Sequence, residues 1–258
     1  MHKMKKHELV IIFCYHSDDS VTRRNLAVLK ENNPGTPVVL ISNGGDTMHG
    51  SLNSKKLLKK KWRPYAPYWP FLKFKNIGYL WHLYKKGPPK EYFWLNADLP
   101  LYLAYDKTRK KIPSKRYVFV EWDCYCNVDL RGFYKEVWQA DLGGRHFFEQ
   151  AKEPEWDNFI FNSRRSCPPV AKEHMVGVAP LAGILLSERA LSLICQELKK
   201  NYAWVNTFCE LRVGAIVSQN NLRLQSLPDH KKKYLRDKVP VWEMSEINER
   251  AVWHMVKE

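Results

Sequence analysis

Apolar positions along this chain fall into short unbroken runs separated by stretches of helical period. Residues 9–15 (LVIIFCY) are continuous and rich in β-formers, the pattern of a strand covered on both faces and hence of a parallel sheet. Ser17, Asp18, Asp19 and Ser20 then offer helix N-caps. Val21, Leu26 and Leu29 lie toward one face of a helix that Asn33, Pro34 and Gly35 stop. Residues 37–42 (PVVLIS) repeat the buried-strand pattern, which completes a βαβ unit with an expected right-handed crossover. Further on, the pattern predicts a strand over 92–95, a helix over 99–109, a strand over 117–122 and a helix starting near Asp129. An irregular stretch containing Gly143 and Gly144 follows, then a helix over 187–200 and a last helix and strand within 207–228.

With 258 residues, 45% of them apolar, the chain can bury a sizeable core, which argues against disorder. A formal charge of +15 predicts attraction to polyanions: nucleic acid, anionic membrane or phosphorylated small molecules. No apolar run approaches the ~20 residues of a membrane-spanning helix, so a soluble protein is expected, with peripheral contact to anionic lipid allowed by its charge. The basic, briefly apolar N-terminus lacks a small-residue cleavage site and reads as a first strand rather than a signal peptide. Six cysteines show no scaffold spacing, which favours free thiols in a reducing compartment and a cytoplasmic location.

Candidate chemistry concentrates in YVFVEWDCYCN, where a buried-strand run ends in Glu121-Trp122-Asp123. Ligands of open α/β sheets bind beyond the carboxyl ends of strands. Two carboxylates one residue apart, where the chain leaves the extended conformation, can approach one hard cation, Mn2+ or Mg2+. Such an ion neutralises a diphosphate and stabilises it as a leaving group. From the spacing alone, the pair reads equally well as solvated residues where a strand meets a loop.

Four segments, in order, resemble the GT-A glycosyltransferases: LVIIFCYHSDD, PVVLISNGGD, WLNADLPLYLAYDK and YVFVEWDCYCN. The last is similar to that family's Asp-x-Asp motif, with Glu in the first position. The resemblance spans roughly the first half of the chain. It implies an α/β, Rossmann-like fold with a mainly parallel central sheet flanked by helices. A single domain 1–258 is expected, with residues 1–127 holding the nucleotide-sugar and 128–258 the acceptor. It implies a nucleotide-sugar donor, UDP-linked in preference to GDP-linked, and a glycan or glycoconjugate acceptor. His16, Ser17, Asp18 and Asp46 resemble positions that contact base and ribose. Asn96 and Asp98 either cap the following helix or face the nucleotide. Glu210 resembles the general base of inverting members, and reads alternatively as a first-turn glutamate suited to the helix dipole, with Asp157 in reserve. His254 resembles a late metal ligand and Lys257 a phosphate contact, against the alternative of a half-buried histidine in a frayed terminus.

Other features carry less. Cys124 and Cys126 look like half of a soft-metal site that no neighbouring pair completes, so zinc is not expected. Trp62, Tyr65, Tyr68 and Trp69, in the Lys-rich stretch 55–70, are candidate acceptor-stacking residues. A nucleotidyltransferase would need a glycine-rich loop where Tyr15-His16-Ser17-Asp18-Asp19 stands. A nucleic-acid binder fits the charge, but no recognised motif accompanies it, and no specific nucleic acid is expected.

Overall fold

The computed structural model describes residues 6–43, 47–54, 56, 57, 97–149, 170–201, 204, 207, 209–235 and 241–256. Strand β1 (His7–Tyr15), helix α1 (Ser20–Asn32) and strand β2 (Val38–Ser42) form the expected βαβ unit, with Ile11 facing Val38 in parallel register. Among the four cap candidates Asp19 takes the N-cap position: its backbone is extended and its Oδ1 accepts from the Thr22 amide at 2.8 Å. There follow β3 (Leu52–Asn53), α2 (Leu99–Thr108), β4 (Ser114–Glu121), β5 (Tyr125–Cys126), β6 (Leu142–Gly144), β7 (His146–Glu149), β8 (Val176–Ala179) and β9 (Ile184–Ser187). Then come α3 (Glu188–Lys200), α4 (Cys209–Gln219), β10 (Leu224–Ser226) and β11 (Val252–Trp253).

Among the described residues, seven strands form one sheet in the order β10-β6-β9-β4-β1-β2-β3. β9 runs antiparallel to β4 and β6; the other pairings are parallel. The fold is thus the expected α/β class with a mainly parallel central sheet, to which the second half of the chain contributes β6, β9 and β10. β6 corrects the irregular reading of Gly143 and Gly144. A Cβ on Gly143 would lie 2.8 Å from Val137 Cγ2, and one on Gly144 2.9 Å from Val178 Cγ2, so these glycines permit close packing of a strand and do not mark a turn. The expected strand over 92–95 lies outside the described residues.

Alternation along β1 divides the core into two layers. Val10, Ile12 and Cys14 pack with Tyr117 and Phe119 of β4 under helices α2, α3 and α4. Leu9, Ile11, Phe13 and Tyr15 pack with Val118 and Val120 under α1, Phe133, Tyr134 and the C-terminal Val252 and Trp253. Residues 9–15 are all buried, which is why this strand reads as an unbroken apolar run. Among the described residues, no helix is long and apolar enough to cross a membrane.

Candidate functional site

The sheet order reverses at β1, whose neighbours are β2 on one side and β4 on the other. Side by side, the carboxyl ends of β1 and β4 therefore open the crevice in which such sheets bind ligands. Cys14 of β1 stands opposite Glu121 of β4, and immediately beyond, the chain turns sharply. The Cys124 amide donates to the Glu121 carbonyl at 3.0 Å. Asn25, fully buried on α1, donates through Nδ2 to the Trp122 carbonyl at 2.8 Å, and the Val256 amide donates to the Asp123 carbonyl at 3.0 Å. Three consecutive carbonyls of the motif are thus held by three different parts of the chain, and the acidic pair sits in a fixed turn.

Strand parity then decides what each carboxylate meets. Glu121 continues the Tyr117 and Phe119 face, the layer covered by α4, whereas the turn delivers Asp123 and Cys124 to the layer of the C-terminal segment. That segment is fastened to the motif by β11, where Val252 pairs with Cys126 and Trp253 with Tyr125, and by the Ala251 amide on Asn127 Oδ1 at 2.8 Å. The next residue, His254, is 8% exposed and places its Nε2 3.9 Å from Asp123 Oδ2. This is too long for a hydrogen bond and short enough for one cation to be shared. Asp123 Oδ1 is buried with no hydrogen-bond partner. An ionised carboxylate oxygen left so is unfavourable by itself, and a divalent cation would satisfy it. Asp123, Cys124 and His254 each offer a donor atom within 4.8 Å of the others.

Glu121 is not among those three donors. Burial, with the neighbouring charges of Asp123 and Glu210, pushes its carboxyl up from the usual 4.5 to about 8. Glu210, half-buried in the first turn of α4, is therefore near enough to Glu121 for their charges to interact. The mounting of α4 is also buried. Arg212 donates through Nε to Asp98 Oδ2 at 3.0 Å and through Nη2 to the other carboxylate oxygen, and through Nη1 to the Trp204 carbonyl at 2.9 Å. Neither side chain of the Arg212–Asp98 pair is exposed.

Sequence-predicted residues sort accordingly. Asp123 and His254 converge on one point, and Glu121 and Glu210 are near enough for their charges to interact. His16, whose residue surface is exposed, lies edge-on to Trp122 at 6.1 Å; partial desolvation of the ring lowers its proton affinity while Asp123 opposes that shift. Ser17 donates to Asp19, and Asp18 pairs with Arg23 at 2.7 Å, so both remain at the crevice with local partners. Asp98, read as a helix cap or a nucleotide contact, makes no side-chain cap to α2, and its carboxylate is fully buried on Arg212 and the Tyr102 hydroxyl (2.6 Å). Asp46, Asn96, Lys257 and Asp157, with the aromatic residues of 62–69, lie outside the described residues. Sequence reasoning missed Asn25, Arg212 and the approach of Cys124 to His254. An asparagine on a helix and an arginine within an apolar helical run carry no local signal of what they reach across the fold.

Neither a protein-family model nor a curated protein sequence matches the chain. Among solved structures it is similar to mouse xyloside xylosyltransferase 1 in its apo form, at 12% identity and a TM-score of 0.43, over 86% of this chain and 85% of that one. It is also similar to an active-site mutant of LgtC, at 8% identity and 0.41, over 96% and 88%. A third is galactosyltransferase LgtC in complex with donor and acceptor sugar analogues, at 9% and 0.37, over 84% and 73%.

Proposed function

We propose that this chain is a metal-dependent glycosyltransferase of GT-A type, moving a sugar from a nucleotide-diphosphate donor, UDP-linked in preference to GDP-linked, to a hydroxyl of a glycan acceptor. The observation that carries this reading is the buried, unpartnered Asp123 Oδ1, set beside His254 at the point where the sheet order reverses. A bound divalent cation supplies the positive charge that a departing diphosphate needs. Asp123 and His254 hold that ion, with the half-buried Glu121 behind them tuning the charge of the corner. Glu210 takes the proton of the acceptor hydroxyl as base in an inverting reaction, a role that needs reach to the acceptor and an ionised carboxylate. His16 and Trp122, at the ends of β1 and β4, form the wall against which the nucleotide lies, with Ser17 and Asp18 beyond them. Residues 1–127 hold the donor and 128–258 the acceptor. The +15 charge serves phosphorylated substrates and contact with anionic membrane.

A thermal-shift panel of nucleotide sugars with and without Mn2+ tests the proposal, since a ligand selecting the native state raises its apparent stability. A UDP- or GDP-sugar should give a shift that requires metal and that Asp123→Ala abolishes. An equal shift in that variant would remove Asp123 from the site. No shift with any nucleotide sugar, together with salt-sensitive binding of arbitrary oligonucleotides, would overturn the function itself.

A further inference from the structure

Resting on the reading that this corner binds a cation, we infer that the Cys124 thiolate is the third protein ligand, which makes the site selective for metals of the zinc and cobalt class. The sequence presents Cys124 and Cys126 as an incomplete pair, because the completing donors are not local: Asp123 precedes it, and His254 arrives only when β11 pairs with β5. Folding places the Cys124 sulfur, an Asp123 oxygen and a His254 ring nitrogen within 4.8 Å of one another. Donors about 2.0–2.3 Å from a tetrahedral zinc stand roughly 3.3–3.8 Å apart. His254 Nε2 and Asp123 Oδ2, at 3.9 Å, are therefore already almost at ligand spacing.

The chemistry of the donors selects the ion. Magnesium takes near-octahedral sets of oxygens and keeps several waters, whereas one carboxylate, one imidazole and one thiolate form the mixed set taken by borderline metals. Cys124 has no exposed surface, and its amide is fixed to the Glu121 carbonyl by the motif turn, so the sulfur is held without a flexible arm. Coordination breaks the S–H bond and forms a sulfur–metal bond, the proton passing to solvent with no change of oxidation state. Three protein donors leave a fourth position open, as at other zinc sites that admit a substrate oxygen, here one from the donor diphosphate.

Cobalt(II) titration of the full, metal-free chain tests this, because thiolate ligation gives a sulfur-to-cobalt charge-transfer band in the near ultraviolet that oxygen and nitrogen ligands do not. The wild type should show the band, Cys124→Ser and Cys124→Ala should lose it, and Cys126→Ser and Cys14→Ser should keep it. X-ray absorption of the zinc-loaded wild type, which needs no variant, should show one sulfur in the metal's coordination shell. Cobalt binding that Asp123→Ala abolishes, with no such band and no sulfur near zinc, would overturn the Cys124 assignment and leave the metal-dependent reading standing. Cobalt and zinc binding indifferent to Asp123→Ala would sink both.

Discussion

Glu121→Gln separates what the acidic corner does for function from what it does to stability. The folded protein holds the Glu121 proton up to about pH 8, whereas an unfolded chain gives it up near 4.5. Between those values the native state binds more protons, so stability of the metal-free protein falls as pH rises through the interval; below it both states are protonated and the penalty vanishes. At about 1.4 kcal/mol per pH unit, the interval sets a ceiling of about 5 kcal/mol on the penalty at its upper end. Glutamine keeps the shape and removes the charge. Urea unfolding of both proteins in chelator, across pH 4.5 to about 8, should therefore give curves that nearly coincide at the acid end and diverge toward the alkaline end, with the glutamine variant the more stable. Saturating metal should shrink or invert the difference, because cation binding rewards the ionised corner of the wild type. A variant less stable than wild type near pH 8, or a difference that does not change with pH, would show that burial and the charges of Asp123 and Glu210 do not burden an ionised Glu121.

Three further outcomes follow from the same geometry. Asn25→Ala removes the side chain holding the Trp122 carbonyl, so it should lower stability by about 1–3 kcal/mol and weaken cobalt affinity without altering the ligand set, as seen by denaturation and by the unchanged cobalt spectrum. Asp98→Ala removes the buried carboxylate that Arg212 faces and should lower stability by about 3–5 kcal/mol in urea unfolding, whereas a paired replacement by apolar residues of similar volume should recover most of the loss. Gly214→Ala would place a Cβ 2.2 Å from the Val176 carbonyl oxygen, forcing α4 off β8. In a variant that still folds, turnover should fall with little change in metal affinity, because Glu210 moves with the helix and Asp123 does not.

Part of the sheet was legible because its signals are local, β1, β2, β4 and β10 being foreseen and β3, β6 and β9 not. Residues 9–15, 37–42 and 117–122 read as buried strands from composition alone, and each became one; the helices over 99–109 and 187–200 were bounded to within a residue or two. β6 was not legible, since glycines chosen for close approach to Val137 and Val178 look the same in sequence as glycines of a turn. The antiparallel pair β7 and β8 likewise offered only short runs, its partners being set by register and not by period. For the site, Glu121 and Asp123 stood out because acidic residues interrupt an apolar run. What they do was hidden, because strand parity and a three-residue turn give the two carboxylates different neighbours.

That division is the physical reason the two acids cannot be treated as one interchangeable metal-binding pair. Asp123 meets the C-terminal segment, where an imidazole and a thiol offer donor atoms within 4.8 Å and its own Oδ1 has no hydrogen-bond partner. Glu121 meets α4 and a second carboxylate, where the arrangement favours retaining a proton. In the metal-free chain one side of the motif is short of positive charge and the other is burdened with excess negative charge, and a single cation at Asp123, as proposed above, would relieve both. If so, Asp123→Asn should abolish tight metal binding, whereas Glu121→Gln should weaken it moderately while stabilising the metal-free fold. Calorimetric titration of the two variants distinguishes this asymmetry from a symmetric clamp, in which both substitutions would cost affinity alike.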